Sequence, residues 1–490
     1  MGDPLRILFA VSEIAPFSKT GGLADVAASL PKALASLGLD VCVVTPRYRS
    51  FDGTVTRLAT MKVRTAQGDA TATIGRTTIP GSSVTVYTIS DNRGWFDRDD
   101  LYLSPSWDFN DNLERFAFFC RAVLQLPETL GWTPHVVHCN DWQTALVPMY
   151  LAAERTRSSI RTLLTIHNMG YQGTFPGNRF RAAGLPTPWY SINGVEFFGQ
   201  VNLLKGGLLA ADLLTTVSPT YAKEIQTEAF SHGLHGVLAG RRGDLVGILN
   251  GIDPGEWDPA NDPALAAPFS AAKPAGKTEC RDDLLRRANL PPGPAPVLAT
   301  VTRLAEQKGV DLLIAALPEL LSLDVRLIVL GTGESSYEAS LRDWAAKRPD
   351  QLAAILTFDD AWAHRIMAGA DIFLMPSRYE PCGLSQLYAM RYGAVPVAHQ
   401  TGGLADTIVD HTPRTAEDGL ATGFLFRPCA QDSFLRAVQL ALAIKRDREA
   451  WRRLMASAMR ADFGWERSAE HYVDAYQRAI SQPARRPLGQ

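Results

Sequence analysis

The feature that most restricts this fold is a pattern that keeps returning: a short, wholly apolar run, a polar loop, then a stretch of helical period. Residues 6–11 form the first run, and in 25–37 the apolar Val26, Leu30, Ala33, Leu34 and Leu37 share one helical face. Further runs lie at 41–44, 136–138, 162–165 and 213–217. A strand with one wet face would alternate apolar and polar residues. Runs that are apolar throughout predict parallel strands covered by helices on both faces, an α/β class. At 490 residues the chain exceeds what one ordinary core holds, so two such domains are expected.

Between 254 and 296 the character changes: Pro, Ala and Gly dominate, ending near Pro291-Pro292-Gly293-Pro294. We read 1–250 as the first domain, 251–295 as a hinge with an entry helix, and 296–455 as the second domain. Strands are expected there at 296–302, 325–330, 355–358, 372–375 and 395–398. The tail 447–480 has helical period, and 51–90 reads as a small antiparallel excursion from the first domain.

Lys+Arg (49) nearly balance Asp+Glu (51), which speaks against a nucleic-acid sleeve or a polybasic membrane surface. No apolar run reaches the roughly 18 residues that span a bilayer. The opening run is too short for a signal-peptide core and is followed at once by Glu13, so a cytoplasmic protein is expected. Six cysteines (42, 120, 139, 280, 382, 429) show neither CxxC nor zinc spacing, and all but Cys382 read as small core residues. No metal site is expected. A dinucleotide oxidoreductase is disfavoured, because no GxGxxG follows the first strand.

Ligands of open parallel sheets bind beyond the carboxyl ends of the strands, so the residues that follow each run are the ones to inspect. Thr20-Gly21-Gly22-Leu23-Ala24-Asp25 recurs as Thr401-Gly402-Gly403-Leu404-Ala405-Asp406, each copy in a loop that opens a helix. A Gly-Gly turn at a helix start frees backbone N–H groups for a close anion, and Lys19 precedes the first copy. Arg303 and Lys308, five positions apart around a loop that ends in Gly309, suit a diphosphate. Glu380, between Tyr379 and Pro381-Cys382-Gly383-Leu384, is placed to grip sugar hydroxyls.

Other strand ends are more ambiguous. His167 and Asn168 follow a run and precede two glycines, a setting that favours function for the histidine. Asn140-Asp141-Trp142-Gln143 reads equally as site residues or as a helix cap with a packed Trp. The aromatics Trp95, Phe96, Tyr102, Trp107 and Phe109 either stack on sugar rings or pack on one another. Asn250 closes a strand at the hinge and is a further ligand candidate.

Together these pieces resemble the bacterial glycogen synthase and plant starch synthase family. The matching segments are Lys19 to Val26, His138 to Gln143, His167-Asn168, Asn250 to Asp253, Arg303 to Gly309, Glu380 to Leu384 and Thr401 to Asp406. They run in family order along nearly the whole chain. The resemblance implies a GT-B fold: two Rossmann-like domains facing an interdomain cleft, with a C-terminal helix, 456–490, crossing back to the first. It implies glucosyl transfer from ADP-glucose to the non-reducing 4-OH of an α-1,4-glucan, with retention and without metal or other cofactor.

By the same resemblance Lys19, with Gly21, Gly22 and Asp25, lies at the sugar nucleotide, and Arg303 and Lys308 hold its diphosphate. Glu380 binds glucose hydroxyls, beside Cys382, Gly383, Leu384, Thr401, Gly402 and Gly403. His167 and Asn168 stand near the reacting centre with Asp141. Asn250 is a further donor contact, and Glu13, Tyr102 and Trp142 are acceptor or sugar contacts. One departure stands out: many related retaining transferases carry a second Glu eight positions after the first, where this chain has Tyr388. The glycogen synthase branch does not rely on that Glu. Retention without an evident nucleophile points to same-face substitution, the leaving oxygen helping to deprotonate the incoming hydroxyl. Two alternatives stay open, a transferase using UDP-glucose or another acceptor, and a non-catalytic glucan- or nucleotide-binding protein.

Overall fold

The structure, a computed structural model, describes residues 3–102, 109–154 and 159–485. Its backbone forms two compact units, Met1–Gly251 with Trp465–Gln490, and Ile252–Gly464.

The first unit contains β1 (Arg6–Ala10), β2 (Asp40–Pro46), β3 (Thr56–Thr65), β4 (Gly68–Thr78), β5 (Thr85–Asp91), β6 (Val136–Asn140), β7 (Arg161–Ile166), β8 (Thr174–Pro176), β9 (Glu196–Phe197), β10 (Gln200–Asn202), β11 (Leu213–Thr216) and β12 (Leu245–Gly247). Nine make one sheet in the order β12-β11-β7-β6-β1-β2-β5-β4-β3, and β8, β10 and β9 form a small antiparallel sheet. Pairing from β12 to β5 is parallel, while β5-β4-β3 is antiparallel. The expected excursion at 51–90 therefore extends one edge of the main sheet. The edge strand β3 is mostly exposed and carries Arg57, Lys62 and Arg64, which discourages further pairing. From β1 the chain moves out through β2 and β5, then returns to β6 on the other side of β1. That reversal opens a crevice beyond the carboxyl ends of β1 and β6.

The helix Trp465–Ser481 belongs to this unit. Its buried residues Trp465, Ala469, Tyr472, Ala475, Tyr476 and Ala479 follow helical spacing and enter the same core as Ile7, Phe9, Leu30 and Leu34. The tail is not one helix. Arg448–Arg460 ends in the second unit, and 461–464 break the period before Trp465.

The second unit has one six-stranded, all-parallel sheet: β13 (Val297–Val301), β14 (Arg326–Leu330), β15 (Leu352–Ile355), β16 (Ile372–Met375), β17 (Val395–His399) and β18 (Phe424–Phe426), in the order β15-β14-β13-β16-β17-β18. This is the strand order of a doubly wound sheet, with its switch point between β13 and β16. Successive residues of one apolar run serve opposite faces. Leu298, Leu327, Ile372 and Leu374 enter one core cluster, and Val297, Ala299, Ile328 and Phe373 enter the other.

Two local expectations shift. The strand expected at 355–358 lies at β15 instead, sharing only Ile355 with the expected span: Asp359 accepts a hydrogen bond from Trp362 N and starts a helix at Asp360, which leaves 356–359 to link strand and helix. The Pro/Ala/Gly-rich stretch is anchored: Ile252, Trp257, Phe269, Cys280, Leu284 and Leu290 are all buried in the second unit's core.

Candidate active site

In the second unit the loops that leave β13 and β16 are tied together at the switch point. Lys308 Nζ donates to both oxygens of Glu380, at 2.8 and 2.7 Å, and Ser377 Oγ donates to Oε2 at 3.0 Å. Arg378 N donates to Gln307 O at 2.9 Å. Gly309 (φ 66°) passes so close to Pro376 that an added Cβ would sit 2.0 Å from its carbonyl oxygen. Arg303, on the same loop, is exposed and reaches Gln307 Oε1 at 3.3 Å. A cation and a buried carboxylate thus stand where ligands of such sheets bind.

The second Gly-Gly copy meets this turn from β17. A Cβ on Gly402 (φ 43°) would lie 1.9 Å from Glu380 O, and one on Gly403 2.1 Å from Cys382 O. Gly403 N donates to Glu380 O at 3.1 Å. These glycines let the backbone of 401–403 lie against the Glu380 turn, and the helix they open, Gly402–Thr407, is only six residues long. Gly383 (φ 71°) makes the bend from Cys382 to Leu384, beside the Gln386 side chain.

The first copy stands differently. Gly21 is extended, with nothing within 4 Å of an added Cβ, and the helix Gly22–Ser36 runs for 15 residues. Lys19 Nζ lies 2.9 Å from Asp25 Oδ1 in that helix's first turn. Glu13, just beyond β1, is buried and accepts from Thr20 N (2.6 Å) and Thr20 Oγ1 (2.7 Å), so its carboxylate shapes the Lys19–Gly22 loop. Burial, with Asp25 and Asp141 nearby, pushes Glu13 up to about 7.

Within the first unit, across the crevice at the ends of β1 and β6, Asp141 has φ 55°, a left-handed conformation that turns its carboxylate toward the end of β7. There Oδ1 accepts from His167 N at 2.7 Å. Burial pushes Asp141 up to about 7 as well, against the His167 and Asn168 amides that favour its charge. Asn140 Nδ2 donates to Ala10 O (3.0 Å), which fixes the amide so that Oδ1 accepts from His167 Nε2 at 2.9 Å. The imidazole therefore carries its lone pair on Nδ1, and burial holds its pKa down at about 3. His167 is a neutral hydrogen-bonding group at physiological pH.

The family model described as "Starch synthase catalytic domain" matches residues 6–240, and "Glycosyl transferases group 1" matches 282–454. A glycogen synthase of Anaeromyxobacter sp. (strain Fw109-5) is 48% identical over 98% of this chain and 100% of its own. Glycogen synthase 2 of Geobacter sulfurreducens is 44% identical over 97% and 99%. The chain belongs to the glycogen synthase family. It is a glycosyltransferase with the GT-B fold. The catalytic domain of starch synthase IV from Arabidopsis thaliana, solved bound to ADP and acarbose, matches with a TM-score of 0.90 at 33% identity, covering 98% of this chain and 100% of that one. A sucrose-phosphate synthase from Thermosynechococcus elongatus shares the fold, with a TM-score of 0.61 at 18% identity over 97% and 99%.

Several open readings close once this family member's side chains are placed. Trp142 is packed, 8% exposed, with its ring 5.1 Å from Phe116 and 5.9 Å from Phe175. Neither Asn140 nor Asp141 caps the short helix Asp141–Thr144 with its side chain; both serve His167. Trp95 and Phe96 are buried against Phe116–Phe119 of the helix Asn112–Leu130, so this part of the aromatic segment packs on the protein's own core, and Trp107 lies outside the described residues. Tyr102 instead places its hydroxyl 2.7 Å from Ser12 Oγ. Tyr388 stacks on Trp257 at 3.7 Å, with His364 on that ring's other face at 4.0 Å, which makes Tyr388 a packing residue. Asn250 is buried, and its Oδ1 has no hydrogen-bond partner among the described residues.

Sequence reasoning missed Thr20, Ser377 and the role of Asn140. Each orients a more conspicuous neighbour, and a short polar residue beside a motif gives no signal of that alone. Among the described residues no group of three or more His, Cys, Asp or Glu side chains is placed to hold a metal ion, and no helix is long and apolar enough to cross a membrane.

Proposed function

We propose that this family member transfers glucose from ADP-glucose to the non-reducing 4-OH of an α-1,4-glucan, with retention at the anomeric carbon and without a cofactor. The observation that carries the reading is the Lys308–Glu380 pair at the β13/β16 switch point, with Arg303 on the same loop. Relatives named glycogen synthase over nearly the full chain, and a starch synthase solved with ADP and acarbose, supply the substrate class.

In this reading Arg303 and Lys308 hold the diphosphate and stabilise the charge it gains on leaving, by about 3 kcal/mol each. Glu380 grips glucose hydroxyls, with the turn through Cys382, Gly383 and Leu384 and the backbone of Thr401–Gly403 completing the pocket. Lys19, Gly21, Gly22, Asp25, Asn168 and Asn250 contact the sugar nucleotide, while Glu13 and Tyr102 serve the acceptor side. Neutral His167, held by Asn140 and Asp141, offers a hydrogen bond to a sugar hydroxyl. Transfer proceeds by same-face substitution, the departing phosphate oxygen taking the proton of the incoming hydroxyl. Incubation with labelled ADP-glucose or UDP-glucose plus glycogen tests this: label enters glycogen from ADP-glucose, and incorporation from UDP-glucose alone rejects the donor. A covalent glucosyl-enzyme trapped on an acidic side chain rejects the same-face step.

A further inference from the structure

Arg115 is fully buried, yet no carboxylate pairs with it within 4 Å among the described residues. Its guanidinium lies among rings, 4.9 Å from the centroid of Phe116, 5.1 Å from Phe96, 5.4 Å from Phe109 and 5.7 Å from Tyr48. Its Nε and Nη1 have no hydrogen-bond partner among the described residues. A charge buried this way is costly, and a methionine would fill a ring-lined space with far less penalty. What methionine could not supply is a directed N–H donor, and Arg115 uses one: Nη2 donates to Leu101 O. Three residues earlier on the same helix, Asn112 Nδ2 donates to Tyr102 O at 3.1 Å. Two side chains on one helical face thus hold two successive carbonyls.

What the clamp delivers is the Tyr102 phenol. Its hydroxyl meets Ser12 Oγ at 2.7 Å, while Tyr48 OH donates to Ser12 O at 2.8 Å. Ser12 is therefore gripped at its hydroxyl and its carbonyl, and the next residue is Glu13, whose carboxylate shapes the Lys19–Gly22 loop. We infer that Arg115 and Asn112 are positioning residues for transfer, acting through Tyr102 on the Ser12–Glu13 turn at the end of β1. The inference rests on the transferase reading above. It predicts that these buried helix residues affect turnover chiefly by way of Tyr102, although Arg115 also lies against Tyr48, which holds Ser12 O.

A double-mutant cycle in kcat/KM for glucosyl transfer tests this, run where each variant keeps the wild-type circular dichroism. Arg115→Met and Tyr102→Phe are each expected to lower kcat/KM about tenfold, and the double variant about tenfold rather than a hundredfold. Losses that multiply in the double variant, or unchanged kinetics in either single variant, overturn the proposal. Should Arg115→Met fail to fold, Asn112→Ala takes its place in the same cycle with the same two outcomes. Absence of transfer by the wild-type protein is a separate result, and it would reject the transferase reading instead.

Discussion

At the residue scale, Lys308 and Glu380 share one ion pair but not one environment, their side chains being 21% and 5% exposed. Removing the lysine strands a carboxylate in the interior with, among the described residues, only the Ser377 hydroxyl bonded to it, whereas removing the glutamate lets the lysine turn to water. Lys308→Ala is expected to cost about 3 kcal/mol of stability and Glu380→Ala about 1 kcal/mol. Both should lower turnover by orders of magnitude. Urea unfolding of the two variants checks the order, and a less stable Glu380→Ala contradicts it.

Glu13 and Asp141 make a second prediction at this scale. Burial raises both to about 7, above their ordinary values of 4.5 and 3.8. Between those limits the folded state keeps protons that the unfolded chain has released, so stability falls as pH rises through roughly 4 to 7 and levels off above. Glu13→Gln has no such proton to lose. Relative to the wild type, its melting temperature should rise between about pH 5 and about pH 7.5; a constant difference would show that Glu13 does not titrate in this window.

At the scale of elements, the repeated Thr-Gly-Gly-Leu-Ala-Asp was legible at once, but the two copies do different work. Gly402, the equivalent of Gly21, lies against the Glu380 carbonyl and Gly403 against the Cys382 carbonyl, while Gly21 faces open space. Gly403→Ala is expected to cost about 1–3 kcal/mol through overpacking. Gly21→Ala should leave stability within about 0.5 kcal/mol, so any kinetic loss there reports on the ligand. Thermal melts paired with the transfer assay separate the two, and equal destabilisation would remove the distinction. Identical hexapeptides could not reveal this, because the difference lies in what packs against them. The strand at Leu352–Ile355 is misplaced for a related reason: Ile355, Leu356 and Phe358 read as a strand, but only Ile355 belongs to it, because the Asp359 cap starts the next helix directly afterwards.

For the whole molecule, chain order and compact units disagree at one place. The helix Trp465–Ser481 completes the first unit's core although it follows the second in sequence. Residues 252–464 expressed alone should unfold in one cooperative transition. Residues 1–251 alone should expose the surface that Tyr472 and Tyr476 cover and leave His138 Nδ1 without its Tyr476 partner. Calorimetry of the two fragments tests this, and a cooperative melt from 1–251 would show that the helix is dispensable.

The sequence by itself determined the α/β class, the strand ends that carry polar motifs and the family, because these depend on local period and on ordered short segments. The tertiary structure alone decided which carboxylate pairs with which cation, that Trp142 and Tyr388 are packed, and that Asn140 and Asp141 serve His167. Those outcomes depend on distances between residues far apart in the chain, and on burial, which sets both the cost of a charge and the pKa of a carboxyl group. Neither quantity is written in the spacing of residues along a strand or a helix.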